Sequence, residues 1–85
     1  MPLFRDFFYV HHKRGDHDVI YETSDQDLAG TVRYFGFLNN TGGWIIQAWD
    51  TSVDSFRYAI GEADYLTNWG NRTLLTYVLY SALFN

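Results

Sequence analysis

The side chains best suited to bind a metal ion lie close together near the start of the chain. His11, His12 and His17 fall within seven residues of one polar stretch, which also carries Asp16 and Asp18. Imidazole and carboxylate groups are suitable ligands for zinc or nickel. A metal site needs ligands held by a rigid scaffold, however, and residues 11–18 are typical of a single exposed loop. The sequence therefore predicts a solvated loop with no bound metal.

The remaining reactive side chains do not form the pattern of an enzyme. Catalysis requires an activated nucleophile, an acid–base pair or a metal ion. The chain contains no cysteine, and it lacks G-x-S-x-G, H-E-x-x-H and any glycine-rich phosphate loop. Asp25-x-Asp27-x-x-Gly30 matches only the first half of a calcium loop. We therefore expect a protein that is not an enzyme and that uses no cofactor.

Composition indicates one small domain rich in aromatic residues. A chain of 85 residues buries a limited core, and without cysteine no disulfide can reinforce it. Aromatic residues make up 20% of the chain, and they bury more area per residue than other types. We expect residues 1–85 to form a single domain with apolar terminal arms at residues 1–10 and 81–85. The first arm fits either an edge strand or a contact on a neighbouring copy.

Charge and hydropathy limit the classes of partner. The formal net charge is −4, and the only basic run, residues 11–14, is followed at once by acidic residues. A nucleic-acid binder should instead show clustered positive charge. No apolar run approaches the length of about 20 residues that spans a bilayer. The start of the chain also lacks the layout of a signal peptide. We expect a soluble protein that contacts neither nucleic acid nor a membrane.

Alternating apolar residues predict antiparallel strands through the middle of the chain. The alternation is strong at residues 31–38, 44–50 and 55–60, and a short apolar run covers residues 19–21. Asparagine and glycine at residues 39–43 predict a hairpin loop between the first two of the strong strands. The predicted fold class is all-β: a small antiparallel sandwich or a partly open barrel of about five to six strands.

Three stretches interrupt this regular pattern. Gly36 predicts a bulge or a close backbone contact within its strand. Residues 23–27 carry the short polar side chains typical of a turn. Residues 73–80 fit either the apolar stripe of a helix or a strand, and we favour the strand.

Large side chains are expected to anchor the irregular connection at residues 61–72. Tyr65, Leu66 and Trp69 should pack inward there, and a single helical turn fits the spacing. We also expect Trp69 to be mostly buried and the head group of Arg72 to bind a carboxylate or backbone carbonyls. The structural anchors predicted for the whole domain are Trp44, Tyr58, Trp69, Arg72 and Tyr77.

The strands are apolar on both faces, which a monomeric two-layer domain does not need. Sheets with one solvated face alternate between apolar and polar residues. A two-sided apolar sheet would expose more apolar area than monomers tolerate, unless the terminal arms fold back over it. We predict contacts between copies or with other proteins. The predicted interface residues are Phe4, Phe7, Phe8, Phe35, Phe37, Trp49, Leu79, Leu83 and Phe84.

Four motifs rich in aromatic residues and glycine follow one another between residues 32 and 77. They are Tyr34-Phe35-Gly36, Gly42-Gly43-Trp44-Ile45-Ile46, Tyr58-Ala59-Ile60-Gly61 and Trp69-Gly70-Asn71-Arg72-Thr73-Leu74-Leu75-Thr76-Tyr77. In this order they resemble a family of small proteins encoded by tailed bacteriophages. The chain departs from the family pattern in its histidine-rich stretch, in the turn at residues 38–41 and in the apolar residues 78–84.

The resemblance implies a structural protein of a phage virion, in the tail, baseplate or neck, that acts by oligomeric assembly. Such a protein would be made in the cytoplasm of the host bacterium and would be found in the virion. Its partners would be copies of itself and other virion proteins. One alternative is a β module that binds a surface glycan or receptor through its aromatic residues. Another is a small phage protein that binds a host protein.

Overall fold

The computed structural model describes residues 10–14 and 17–84 of the chain, with side chains from residue 20 to residue 83. Five strands come first and short helical segments follow. The elements are β1 (Val10–Arg14), β2 (His17–Asp27), β3 (Val32–Leu38), β4 (Trp44–Asp50), β5 (Ser55–Gly61), α1 (Tyr65–Gly70), a 3-10 turn (Arg72–Leu74) and α2 (Tyr80–Phe84).

The strands form an antiparallel meander in the order β1-β2-β3-β4-β5. The first half of the long strand β2 pairs with β1, and its second half pairs with β3. Strands β2 to β5 therefore make one open four-stranded sheet, and β1 extends it as a hairpin. The mostly β, antiparallel character predicted from the sequence is confirmed. Strands β3 and β4 and the hairpin loop between them have the predicted bounds to within one residue.

The predicted sandwich or barrel is wrong for the described residues, whose strands all belong to this single open sheet. Residues 73–80 were expected to form a further strand, but they contain the end of the 3-10 turn, an extended stretch and the start of α2. Only Val78 pairs like a strand residue, through an isolated antiparallel bridge to Tyr58. On the helix face the second layer therefore combines α1 with the extended stretch after the 3-10 turn, where Leu75 and Tyr77 pack their side chains onto the sheet without a continuous ladder.

Two polar stretches predicted as loop or turn are strand instead. Residues 11–14 and 17–18 belong to the β1–β2 hairpin, and residues 23–27 complete β2 with an irregularity between Thr23 and Asp25. Pairing is a property of the backbone, so polar side chains do not prevent it. In β2 the carboxylates of Asp25 and Asp27 bind side chains 40 or more residues away, in addition to the local bonds that they accept from Ser24 and Ala29.

The sheet carries a separate apolar cluster on each face. On the face that α1 covers, called here the helix face, Trp44, Ile46, Ala59 and Tyr65 are buried together. On the other face, called here the open face, the buried residues are Tyr21, Phe35, Phe37 and Ile45. The two-sided apolar strands therefore supply two cores within one chain.

Gly36 provides the space that lets α1 approach the sheet. A Cβ atom built on Gly36 would collide with the ring of Tyr65 and would lie 3.1 Å from Cε3 of Trp69. The two aromatic rings are themselves stacked at 6.2 Å between centroids. The close backbone contact predicted at Gly36 is confirmed, and it fixes the position of α1 over β3.

Candidate interaction surface

Arg72 is the centre of the polar contacts on the helix face. Its Nε and Nη2 atoms donate hydrogen bonds of 3.0 and 2.8 Å to Oδ2 of Asp27, and Nη1 donates to the carbonyl of Trp69 at 2.8 Å. The guanidinium also lies 4.6 Å from the ring centroid of Trp69. The predicted carboxylate and carbonyl partners of Arg72 are confirmed. Trp69 itself is half-buried rather than mostly buried.

These bonds change the protonation equilibrium of Asp27. The hydrogen bonds from the Arg72 side chain hold the pKa of the Asp27 carboxyl below its usual value of 3.8, and the N–H of Ala29 acts in the same direction. Asp27 is therefore a carboxylate that balances a cation. Its oxygen Oδ2 accepts both bonds from Arg72, and Oδ1 accepts the bond from Ala29.

Tyr77, the last residue of the motif at residues 69–77, bonds back to Arg72 within the same motif. Its hydroxyl donates a 2.7 Å hydrogen bond to the carbonyl of Arg72, and its ring lies 6.0 Å from that of Tyr34 on β3. Burial raises the pKa of the Tyr77 hydroxyl well above its ordinary value. The motif therefore folds a short segment and fastens it to the sheet. The guanidinium of Arg72 and the hydroxyl of Tyr77 are both used for this purpose.

Tyr65 fastens the start of α1 in a comparable way. Its hydroxyl donates to Oδ2 of Asp25 at 2.8 Å, and Ser24 donates to the same carboxylate oxygen at 3.1 Å. Burial, together with the hydrogen bond and negative charge of Asp25, raises the pKa of the Tyr65 hydroxyl. The indole Nε1 of Trp44 donates to the carbonyl of Ala63 just before the helix, at 2.7 Å. The predicted anchors Trp44 and Tyr65 are both buried.

A shallow cleft of about 600 Å³ opens beside the start of α1. Its polar lining includes the side chains of Ser24, Thr41, Glu62, Asp64 and Thr67. Asp64 adopts a left-handed backbone with φ of 61° and makes no capping bond through its side chain. The lining supplies hydroxyl and carboxylate oxygens but no histidine or lysine.

The outer edge of β5 presents apolar side chains to solvent. Phe56 and Ile60 are 41% and 39% exposed, and Tyr58 lies between them on the same, open face. The ring of Tyr80 packs edge-on against Tyr58 at 5.4 Å and is itself 44% exposed. We call Phe56, Tyr58, Ile60 and Tyr80 the edge row. The row joins the last strand to α2 and is continuous along the edge of the sheet.

A stacked pair continues the edge row across the open face. The rings of Trp49 and Phe56 are nearly parallel, at 7° and 5.5 Å between centroids. Arg33 lies 5.8 Å from the opposite side of the Trp49 ring, and Asp54 accepts the indole N–H at 3.0 Å. Trp49 therefore lies between Arg33 and Phe56, and Phe56 at the edge is 41% exposed.

The structure divides the predicted interface residues into three groups. Phe35 and Phe37 are each 2% exposed, so they form part of the core and offer no contact surface. Trp49 and Leu83 are half-buried, and Leu79 is 52% exposed. The side chains of Phe4, Phe7, Phe8 and Phe84 lie outside the described residues.

Of the remaining predicted anchors, Tyr58 and Tyr77 pack against the sheet and Leu66 does not. Tyr58 and Tyr77 are half-buried and pack against the two apolar clusters. Leu66 was expected to pack inward but is 80% exposed, because the helix turns Tyr65 and Trp69 toward the sheet instead. The sequence reasoning missed Phe56, Ile60 and Tyr80 as surface residues. Their i, i+2 spacing on β5 was visible, but nothing in it marks β5 as an edge strand.

Metal and membrane sites were also sought in the described part of the chain. There, no three His, Asp or Glu side chains lie close enough to share a metal ion. The side chains of His11, His12 and His17 lie outside that part, so the predicted absence of metal there stays a prediction. Among the helices that the structure describes, none has the length and apolar character needed to cross a membrane.

Comparison with known proteins yields no match to a protein-family model, a curated protein or a solved structure. The function therefore has to be argued from the surface of this chain. The edge row brings exposed apolar side chains of β5 and α2 together along one edge of the sheet.

Proposed function

We propose that this chain is a structural protein of a tailed-phage virion and that it acts by assembling with copies of itself and with other virion proteins. The observation that carries the proposal is the edge row, where Phe56, Ile60 and Tyr80 stay exposed on the last strand of an open sheet. Contiguous exposed apolar side chains are typical of interaction sites. An unpaired strand edge is a second interaction site of the same kind.

The internal polar contacts support an assembly role over a chemical one. Four polar side chains on the helix face are each bound to another group of the same chain: Asp27, Tyr65, Arg72 and Tyr77. They hold the fold together and leave the apolar edge as the surface for contact. The resemblance to small proteins of tailed phages supports placing this assembly in the tail, baseplate or neck.

Purified particles provide the direct test. Mass spectrometry and electron microscopy of the virion should find the chain in a fixed ratio to other structural proteins. A phage carrying Phe56→Ser and Ile60→Ser should incorporate less of the chain than wild type. Val53→Ser is the matched control, because Val53 is 69% exposed but lies in the β4–β5 turn away from the row. Particles without the chain, or equal incorporation of all variants, would contradict the proposal.

A glycan- or receptor-binding module is the second candidate, favoured by one observation. The exposed part of the Phe56 ring, which stacks on the Trp49 ring, could pack against the C–H bonds of a sugar. Binding on a glycan array that Phe56→Ala abolishes and Val53→Ala leaves intact would support this function. Capture of a single host protein by the purified chain would instead support the third alternative, a phage protein directed at the host.

A further inference from the structure

One residue of the C-terminal segment occupies the outer edge of β5. Tyr58 donates a backbone hydrogen bond to the carbonyl of Val78 at 2.7 Å, and Val78 donates to the carbonyl of Tyr58 at 2.9 Å. This reciprocal pair is an isolated bridge, since the neighbouring residues do not continue a ladder. We call residues 78–84 the strap. The strap covers the middle of the β5 edge only.

The bridge shows which backbone groups of β5 point away from the sheet. The N–H and C=O of Tyr58 point outward, and residues two apart on a strand have the same orientation. The backbone groups of Phe56 and Ile60 therefore also point outward, on either side of the strap. This orientation makes Trp49 and Phe56 a non-hydrogen-bonded pair of β4 and β5, in which side chains come closest. The observed stacking of the two rings agrees with it.

The edge of β5 is complementary to itself. If two copies align antiparallel with Tyr58 on the two-fold axis, Phe56 of each copy lies opposite Ile60 of the other, and Tyr58 lies opposite Tyr58. Each of these pairs would exchange two backbone hydrogen bonds, because the groups point outward. On the helix face the same register places Arg57 opposite Ala59 of the second copy, so no like charges meet. Apolar cross-strand pairs of this kind stabilise a sheet.

We propose that the outer edge of β5 is a dimer interface, paired antiparallel with β5 of a second copy about Tyr58, and that the strap occupies this edge in the free chain. The inference rests on the proposed role in assembly and names its partner, a second copy. Pairing exchanges one bridge to Val78 in each chain for a continuous ladder between the two chains. The strap thereby limits association until copies are concentrated, as they are during assembly. Covering an edge with a loop is a known protection against unwanted strand pairing.

Release of the strap should promote the dimer. Val78→Pro removes the N–H that Val78 donates to Tyr58, whereas Val78→Ala keeps it and is the matched control. Light scattering after size exclusion should give Val78→Pro a mass near twice the monomer value of 10.0 kDa, at concentrations where Val78→Ala is still a monomer. Circular dichroism of both variants checks that the sheet is retained. A folded Val78→Pro variant that stays monomeric at high micromolar concentration would overturn the proposal.

The absence of cysteine allows the register to be tested by a single thiol. Directly paired residues that exchange both bonds have Cα atoms about 5.5 Å apart, within the range of a disulfide. Tyr58→Cys in the Val78→Pro background should therefore form a disulfide between copies under mild oxidation. Val53→Cys in the same background is the control, since this more exposed residue lies outside the paired region. Equal cross-linking at both positions would show that β5 does not pair in this register.

A locked strap provides a second route if Val78→Pro fails to fold. Cysteines at both Tyr58 and Val78 would face each other across the bridge, and their disulfide would hold the strap on the edge. The oxidised form should associate less than the same variant after reduction. Equal association of both forms would show that the strap does not control association. Loss of incorporation for the Phe56 and Ile60 variants would then still support assembly through the β5 edge, without control by the strap.

Discussion

Asp27 and Arg72 show how a single pair of side chains fixes the C-terminal part of the chain. Asp27 ends β2, Arg72 begins the 3-10 turn, and their 2.8 Å contact joins residues that are far apart in sequence. The same guanidinium binds the carbonyl of Trp69 and lies over its ring. These bonds confirm the prediction that the Arg72 head group binds a carboxylate or backbone carbonyls.

We expect the contribution of Asp27 to stability to depend on pH in a defined direction. Its pKa is lower in the fold than the ordinary 3.8, so the unfolded chain binds the proton more readily. The contribution is therefore fully present above pH 3.8 and is lost as the pH falls through the lower folded value. The melting temperature of wild type should exceed that of Asp27→Asn at neutral pH, and the difference should narrow in acid. Glu22→Gln controls for the loss of one exposed charge, and a constant difference would contradict this assignment.

Gly36 gives a second prediction at the scale of one residue. Gly36→Ala adds a Cβ that collides with the Tyr65 ring, and overpacking of this kind costs about 1–3 kcal/mol. Gly70→Ala is the matched control, because a Cβ there meets no atom within 4 Å. Urea unfolding should show a clearly lower free energy of unfolding for Gly36→Ala and little change in it for Gly70→Ala. Similar free energies of unfolding for the two variants would mean that α1 does not press on β3.

At the scale of elements, the central strands were predictable and the segments that cover the sheet were not. Strands β3 to β5 follow from alternation and from the hairpin loop of asparagine and glycine at residues 39–43, which are local signals. The polar residues 23–27 predict a turn, but they form the second half of β2. Their carboxylates find partners on α1 and in the 3-10 turn, which no local pattern reveals. The strand predicted at residues 73–80 is wrong for the same reason, since Val78 pairs with β5 and Tyr77 bonds to Arg72. The candidate interface was missed in part because side-chain alternation does not show which strand lies at an edge.

The stability of helix α1 should depend on the side chains that face the sheet. Trp69 contacts Arg72 and Tyr65, so Trp69→Ala should lower the free energy of unfolding by about 3 kcal/mol. Leu66→Ala changes the same helix at a side chain that is 80% exposed, and it should stay within about 0.5 kcal/mol of wild type. Denaturant unfolding of both variants measures the contrast. Wild-type stability of Trp69→Ala would show that the helix is held by Tyr65 alone.

At the scale of the whole molecule, the chain combines a net charge of −4 with an apolar edge. Two copies that meet through the β5 edge bring like charges together, while the contact itself is made by Phe56, Ile60 and backbone groups. Salt screens the repulsion between copies, and it does not weaken apolar contacts. The dependence of association on salt therefore distinguishes an apolar interface from an electrostatic one.

We expect self-association to strengthen as sodium chloride is raised from low to physiological concentration. Sedimentation velocity at a fixed high micromolar protein concentration should show a growing dimer fraction across the series. Phe56→Ser with Ile60→Ser should flatten this response, because it removes the apolar contact but keeps the charge, and Val53→Ser should retain the response. Weaker association with added salt would indicate that ion pairs hold the copies together. A single species of 10.0 kDa at every salt concentration would reject self-assembly of the isolated chain, since neither repulsion nor screening would then have a contact on which to act.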